Sequence, residues 1–180
     1  SWSNLSGNVW LAAGVTWSPV QVFLDGARLT PSNTAPATLP ANSFTWVSGQ
    51  GLYVNAGSGN PGMHQLRVGR RPYGFLAPTR SYVRISGFTI LHAENRGIQL
   101  NDACTNFEIS HNVVRLANRY GIQAVGGSAV LVDSNTVEDN GDHGIVFLAG
   151  VTGSTIEDNE SSRNIHPVTH SAAGIFIYGS

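Results

Sequence analysis

Arg96, Tyr120 and His143 each stand directly before a Gly-Ile pair, at Gly97-Ile98, Gly121-Ile122 and Gly144-Ile145. A guanidinium, a phenol and an imidazole in equivalent positions form a set that proton chemistry uses. Arginine neutralises a carboxylate through paired N–H donors, histidine takes up a proton, and tyrosine returns one to a ring carbon or a leaving oxygen. Together they meet the needs of proton abstraction beside a uronate carboxylate. One place earlier come Asn95, Arg119 and Asp142. Arg119 and Asp142 are candidate substrate contacts, and Asp142 can orient His143 only where the chain bends, because neighbours on a strand face opposite ways.

These groups meet only if something stacks them. The Gly-Ile pair recurs once more at Gly174-Ile175, at spacings of 24, 23 and 30 residues. A second marker keeps the same frame: ISGFTI (85–90), ISHNVV (109–114), VDSNTV (132–137) and IEDNES (156–161) align Ile85, Ile109, Val132 and Ile156, and with them Phe88, Asn112, Asn135 and Asn159. Between the markers lie short alternating segments broken by Asn, Gly, Asp and Ser, with nothing at helical spacing. A coil this short encloses no core alone, so its strands must pair with those of the coils above and below, about 4.8 Å away. Crossover chirality favours the right hand. The expected fold is therefore all-β: a right-handed single-stranded parallel β-helix, a solenoid, over 82–180.

Stacking turns sequence equivalence into adjacency, and Arg96 to His143 is then roughly 10 Å at the backbone. The asparagines should form a ladder at a tight bend, adopting left-handed angles and passing hydrogen bonds from coil to coil. The glycines before the isoleucines should allow the bend that starts the next strand. Alternation sends Ile98, Ile122, Ile145 and Ile175 inward with Leu100, Ala124, Phe147 and Ile177. It sends Gln99, Gln123, Val146 and Phe176 outward, which makes Gln99, Gln123 and Phe176 candidate substrate contacts, with Leu148 and Tyr178 extending an apolar strip.

Residues 1–81 lack the clear repeat. Their expected strands, VQVFL (20–24), FTWV (44–47), GLYV (51–54) and HQLRV (64–68), are joined by turns such as Asp25-Gly26, and they predict a small β-rich N-terminal module capping the solenoid, with Trp2, Trp10, Trp17 and Trp46 covering its open end. After Tyr178 no closing element follows, so further coils of the parent chain or another chain are expected there. The long turn from Ser162 to Ala173 carries Arg163, His166 and His170 and suits the rim of a groove; Pro167 argues against the helix on which His166 and His170 would share a metal. Asp133, Glu138, Asp139, Glu157 and Asp158 cluster on neighbouring coils, but their spacing is no calcium loop. No metal or other cofactor is expected.

All ten basic residues are arginines and the net charge is −1, which speaks against a nucleic-acid partner. No apolar run is long enough to cross a bilayer. Cys104 is the single cysteine, so no intrachain disulfide forms.

The pattern I-x-x-N-x-V followed by Gly-Ile, in ISHNVVRLANRYGI and VDSNTVEDNGDHGI, resembles the β-helix repeat of pectate-lyase-like proteins. That resemblance implies a secreted protein, extracellular or periplasmic, acting on an acidic polysaccharide by lyase- or epimerase-type chemistry. The stretch NGDHGIVF is similar to the Asp-Arg-His-Gly-Phe stretch of mannuronan epimerases: His143 and Gly144 match, and Asp142 stands where that stretch has arginine. The epimerase signature at the tyrosine is absent, since Tyr120-Gly121 continues as Ile122-Gln123-Ala124. Two further readings share the fold. One is a non-catalytic glycan-binding or extracellular structural solenoid. The other is a glycoside hydrolase, which needs two carboxylates facing one groove, Asp139 and Asp142 being the nearest pair.

Overall fold

The computed structural model describes residues 1–165 and 171–179, and the chain divides into two compact units, Ser1–Arg70 and Arg71–Ser180. In the first unit, β1 (Ser3–Ser6), β2 (Val9–Ala12), β5 (Thr30–Pro31), β6 (Ser43–Val47) and β7 (Gly51–Asn55) form a sheet of order β1-β2-β7-β6-β5. A smaller sheet joins β3 (Val22–Leu24), β4 (Ala27–Arg28) and β8 (Leu66–Val68) in the order β4-β3-β8. Asp25 and Gly26 both take left-handed angles, the conformation a two-residue hairpin requires between β3 and β4. Val22, Leu29, Phe44, Leu52 and Val54 are buried at its centre, with Trp2 and Trp46 packed against them. The Trp17 indole N–H donates to the Gly69 carbonyl (2.7 Å) and Trp46 to Val15 (2.9 Å), so these rings take part in the unit's own packing.

The second unit is the expected solenoid, and it begins earlier than residue 82. Its first coil carries β9 (Tyr73–Pro78), β10 (Ser81–Ser86) and β11 (Thr89–Leu91). The next holds β12 (Arg96–Asn101), β13 (Thr105–Ser110) and β14 (Val113–Arg115). Then follow β15 (Ile122–Val125), β16 (Ser128–Asp133) and β17 (Thr136–Glu138), and after them β18 (Ile145–Leu148), β19 (Thr155–Glu157) and β20 (Glu160–Ser162), with β21 (Ile175–Tyr178) last. Three parallel sheets result, ordered β10-β13-β16-β19, β11-β14-β17-β20 and β21-β18-β15-β12-β9.

The register is the one the repeat demands. Ile98 pairs with Ile122, Ile122 with Ile145 and Ile145 with Ile175, while Ile85, Ile109, Val132 and Ile156 align on the second sheet. Arg96 pairs with Tyr73 and Ile98 with Phe75, so Tyr73-Gly74-Phe75 is an earlier copy of the Tyr-Gly-Ile motif, with phenylalanine in place of isoleucine. Ile98, Leu100, Ile109, Val114, Ile122, Val132, Val137 and Ile145 are fully buried in one continuous core. Ile175 and Ile177 hold the same inward register on β21, at 46% and 69% exposure.

The asparagine ladder forms, with one correction. Asn135 Oδ1 accepts from the backbone N–H and the amide of Asn112 (both 3.0 Å), Asn159 Oδ1 does the same for Asn135 (both 2.9 Å), and Asn112 Oδ1 accepts from Phe88 N (3.0 Å). The left-handed residues are those one place earlier, namely Gly87 before Phe88 and His111, Ser134 and Asp158 before the asparagines. The asparagine is needed for its two-ended amide, which closes the turn of one coil onto the next. A second ladder was not anticipated. Asn164 Oδ1 accepts from Asn140 N (3.1 Å) and Nδ2 (2.9 Å), and Asn140 Oδ1 from Ala117 N (2.9 Å).

The repeated glycines also have a different reason from the expected one. Gly97, Gly121, Gly144 and Gly174 do not take positive φ. A Cβ at Gly97 would collide with Val114 Cγ1 and lie 2.7 Å from the Gly121 carbonyl, and one at Gly121 would collide with Val137 Cγ1. Close approach of two coils at the corner, not backbone freedom, excludes a side chain.

Candidate functional site

The bend before each of these glycines turns the preceding side chain out of the core, and in-register stacking lines those side chains up. The Arg96 guanidinium carbon lies 5.3 Å from the centre of the Tyr120 ring, and Tyr120 stacks on His143 at 5.7 Å between centroids. His143 lies against Phe176 at 4.4 Å with the rings within 3° of parallel, and Phe176 continues to Tyr178 at 6.4 Å and 5°. The three residues singled out for proton chemistry are thus adjacent, and Phe176 joins them. Arg119 comes from the same turn as Tyr120, its guanidinium carbon 4.9 Å from the ring centre and its Nη2 donating to the Tyr120 hydroxyl (3.1 Å).

This column changes the status of the outward strand positions. Phe176 is in register with Val146, so the His143 ring that meets Phe176 overhangs the strand rather than standing clear of it. Val146 is fully buried, and Gln99 and Gln123 are only 6% and 2% exposed. Gln99 and Gln123 are therefore not open to a ligand as alternation implied. The Gln99 amide donates to Asn101 Oδ1, while Oε1 of both glutamines is buried and has no partner among the described residues.

Protonation chemistry is constrained at His143. Its Nδ1 accepts the backbone N–H of Ala173 (2.7 Å), so the lone pair faces the protein, and Nε2 sits 3.6 Å from Asp142 Oδ1. Asp142 also accepts from the backbone N–H of His143 (3.0 Å). Asp142 thus lies beside the imidazole despite being its sequence neighbour, as the bend allows. For His143 to take a proton at Nδ1, Ala173 must first let go. His166 and His170 lie outside the described residues.

The carboxylates expected to compete for other roles are engaged. Arg115 pairs with Glu138 (3.0 Å) and Asp139 (2.9 Å), and Arg163 reaches Asp139 (2.8 Å) and Glu138 from the next coil. Arg163, then Arg115, holds the Asp139 carboxyl below its usual value against the opposing effect of burial. Asp139 and Asp142 consequently do not form the free pair a hydrolase needs, and Glu138 and Asp139 have arginines where calcium would need open oxygens. Among the described residues, no three His, Cys, Asp or Glu side chains gather to hold a metal ion.

Residues 22–161, more than half of the chain, match the family described as the right-handed beta helix region. A solved structure, that of XylC in complex with xylose, aligns with 98% of this chain at a TM-score of 0.75 and 15% sequence identity, a likeness of fold. The chain spans 44% of the length of that XylC chain. No curated protein sequence matches.

Proposed function

The chain belongs to the right-handed β-helix family, and from that scaffold we propose that the column Arg96, Tyr120, His143 and Phe176 is the binding face for a polysaccharide laid along the solenoid axis. The observation that carries this reading is the unbroken stack itself. Its rungs are set by a coil pitch of about 4.8 Å, a length of the same order as one pyranose residue. A repeating ligand meets a polar or aromatic edge at each step. Guanidinium, phenol and imidazole groups supply the directional donors and acceptors that sugar hydroxyls use. XylC, whose fold this chain shares, was captured with a sugar, which supports the same class of ligand. Under this reading the protein works where such polymers are, outside the cytoplasm.

The test is retention on a panel of neutral, uronate-containing and sulfated polysaccharides by affinity electrophoresis, for the wild type and Tyr120→Ala. Retention by one class and its loss in the variant are expected. Equal retention of both proteins, or none on any polymer, contradicts the reading.

A second reading, lyase- or epimerase-type proton abstraction, is favoured by one observation: the arginine, tyrosine and histidine it needs are neighbours in that column. Arg96 would neutralise the uronate carboxylate, Tyr120 would deliver a proton, and His143 would act once the Ala173 N–H has left Nδ1. The same panel, followed by absorbance of unsaturated products, decides it. Turnover that is abolished in His143→Ala supports catalysis, and turnover unchanged in that variant removes the proposed base.

A further inference from the structure

His143 is tied to the coil above it by a bond that only one of its protonation states can make. Ala173 stands directly before Gly174, the place that Arg96, Tyr120 and His143 hold before their own glycines, so it is the next rung of the column. It brings no functional side chain. Its backbone N–H instead donates to His143 Nδ1 (2.7 Å). An imidazole nitrogen accepts only while it carries no proton. The bond therefore requires the neutral ring, with its single proton on Nε2, 3.6 Å from Asp142 Oδ1, and the side chain is 20% exposed, so protons from solvent reach it.

The surroundings decide which partner moves when a second proton arrives. Among the described residues, the charged and titratable groups facing the imidazole are Asp142 on its own turn and Tyr120 on the coil below, with Arg119 engaged at the Tyr120 hydroxyl (3.1 Å). The coil above brings the Phe176 ring and the Ala173 N–H. A carboxylate and two aromatic faces suit a cation. Direct opposition comes from the Ala173 N–H, because two N–H donors cannot point at each other across one hydrogen-bond distance.

The ring is held from below by Tyr120 and from the side by Asp142, whereas the main chain above it has a weaker hold. Gly144 N and Ile145 N donate to the carbonyls of Ala173 and Gly174 (3.0 and 2.9 Å). These residues lead into β21, the edge strand of its sheet, where Ile175 is 46% exposed and its partner Ile145 is fully buried. The main chain gives way before the ring does.

We propose that His143 is a proton-operated clasp on β21. Neutral, it fixes Ala173 and with it the seat of Phe176, the last rung beside it; as pH falls and the imidazole protonates, residues 173–174 are released and the upper end of the column loosens. The consequence, that a bound polysaccharide is held less tightly in acid, rests on the glycan-binding reading. The clasp itself does not.

An NMR series on the wild type and His143→Phe between about pH 8 and pH 5 tests it. It reads the His143 imidazole and the amides of Ala173, Gly144 and Ile145, with Gly121 and Ile122, which make the equivalent bonds one coil lower, as controls. As the wild-type imidazole protonates, the Ala173 amide shift should follow with the same midpoint. Protection of the Gly144 and Ile145 amides, corrected for the intrinsic pH dependence of exchange, should fall roughly three- to ten-fold, while Gly121 and Ile122 keep theirs. His143→Phe keeps a ring against Phe176 without the acceptor, so its Ala173 amide should be indifferent to pH; the wild-type series is decisive without it if that variant does not fold. Amides that ignore the imidazole titration, or a response that persists in His143→Phe, overturn the clasp. Retention of the polysaccharide chosen by the panel should weaken over the same interval, and equal retention at both ends overturns the control of binding. If no polysaccharide is retained at any pH while the amides respond, the clasp stands and the glycan reading falls.

Discussion

Asn135→Ala is the sharpest perturbation of the stacked architecture. Asn135 is 1% exposed, and its amide accepts from Asn112 N and Nδ2 while donating to the carbonyls of Ile109 (2.8 Å) and Asp133 (2.9 Å) and to Asn159 Oδ1 (2.9 Å). Truncation strands one buried main-chain group, the N–H of Asn112. At about 1–3 kcal/mol for a stranded buried group, the variant should lose about 1–3 kcal/mol, a large part of the roughly 5–15 kcal/mol that holds a domain folded. Asn159→Ala is the internal comparison: it makes equivalent bonds from a half-exposed position, so water replaces part of what is lost and about 1 kcal/mol is expected. Urea unfolding followed by circular dichroism gives the two losses, and hydrogen exchange at the Asn112 amide localises the first. A loss in Asn135→Ala no larger than in Asn159→Ala, or an Asn112 amide as protected as in the wild type, would refute the ladder as a source of stability.

Gly121→Ala should cost about 1–3 kcal/mol by overpacking, because its Cβ meets Val137 Cγ1 and the Gly144 carbonyl at 2.9 Å, whereas Gly14→Ala, with open space around it, should change the unfolding midpoint little. The Asp139 carboxyl is lowered in the folded state by Arg163 and Arg115, so its stabilisation is complete above the ordinary carboxylate value and is lost as pH falls through the lowered one. Thermal melts should therefore fall below about pH 4, and Asp139→Asn should flatten that acid limb; an acid limb as steep as the wild type's would contradict the assignment. Removing the imidazole in His143→Ala should speed exchange of the Ala173 amide that Nδ1 now holds, whereas protection of that amide equal to the wild type's would count against the contact.

The parts of this fold that were legible in the sequence are those where stacking forces one residue type to recur. Gly97, Gly121 and Gly144 repeat because two coils approach too closely for a Cβ, and Asn112, Asn135 and Asn159 repeat because each turn needs an amide that both donates and accepts. The opening strand of the first coil, Tyr73–Pro78, escaped notice because Phe75 stands where isoleucine recurs. The second ladder escaped because its lowest rung is Ala117, which contributes only a backbone N–H to Asn140. At the site, register alone placed Arg96, Tyr120 and His143 side by side. Alternation could not show that Gln99 and Gln123 are buried, since period two gives the direction of a side chain and not what packs over it.

The most direct measurement is a backbone amide NMR titration of the protein with the oligosaccharide that its panel selects. Shifts running along β12, β15 and β18, with the largest at Arg96, Arg119, Tyr120 and His143, are predicted. Shifts confined to the two other sheets of the solenoid or to residues 1–70 would contradict a ligand bound on the Arg96–Phe176 column.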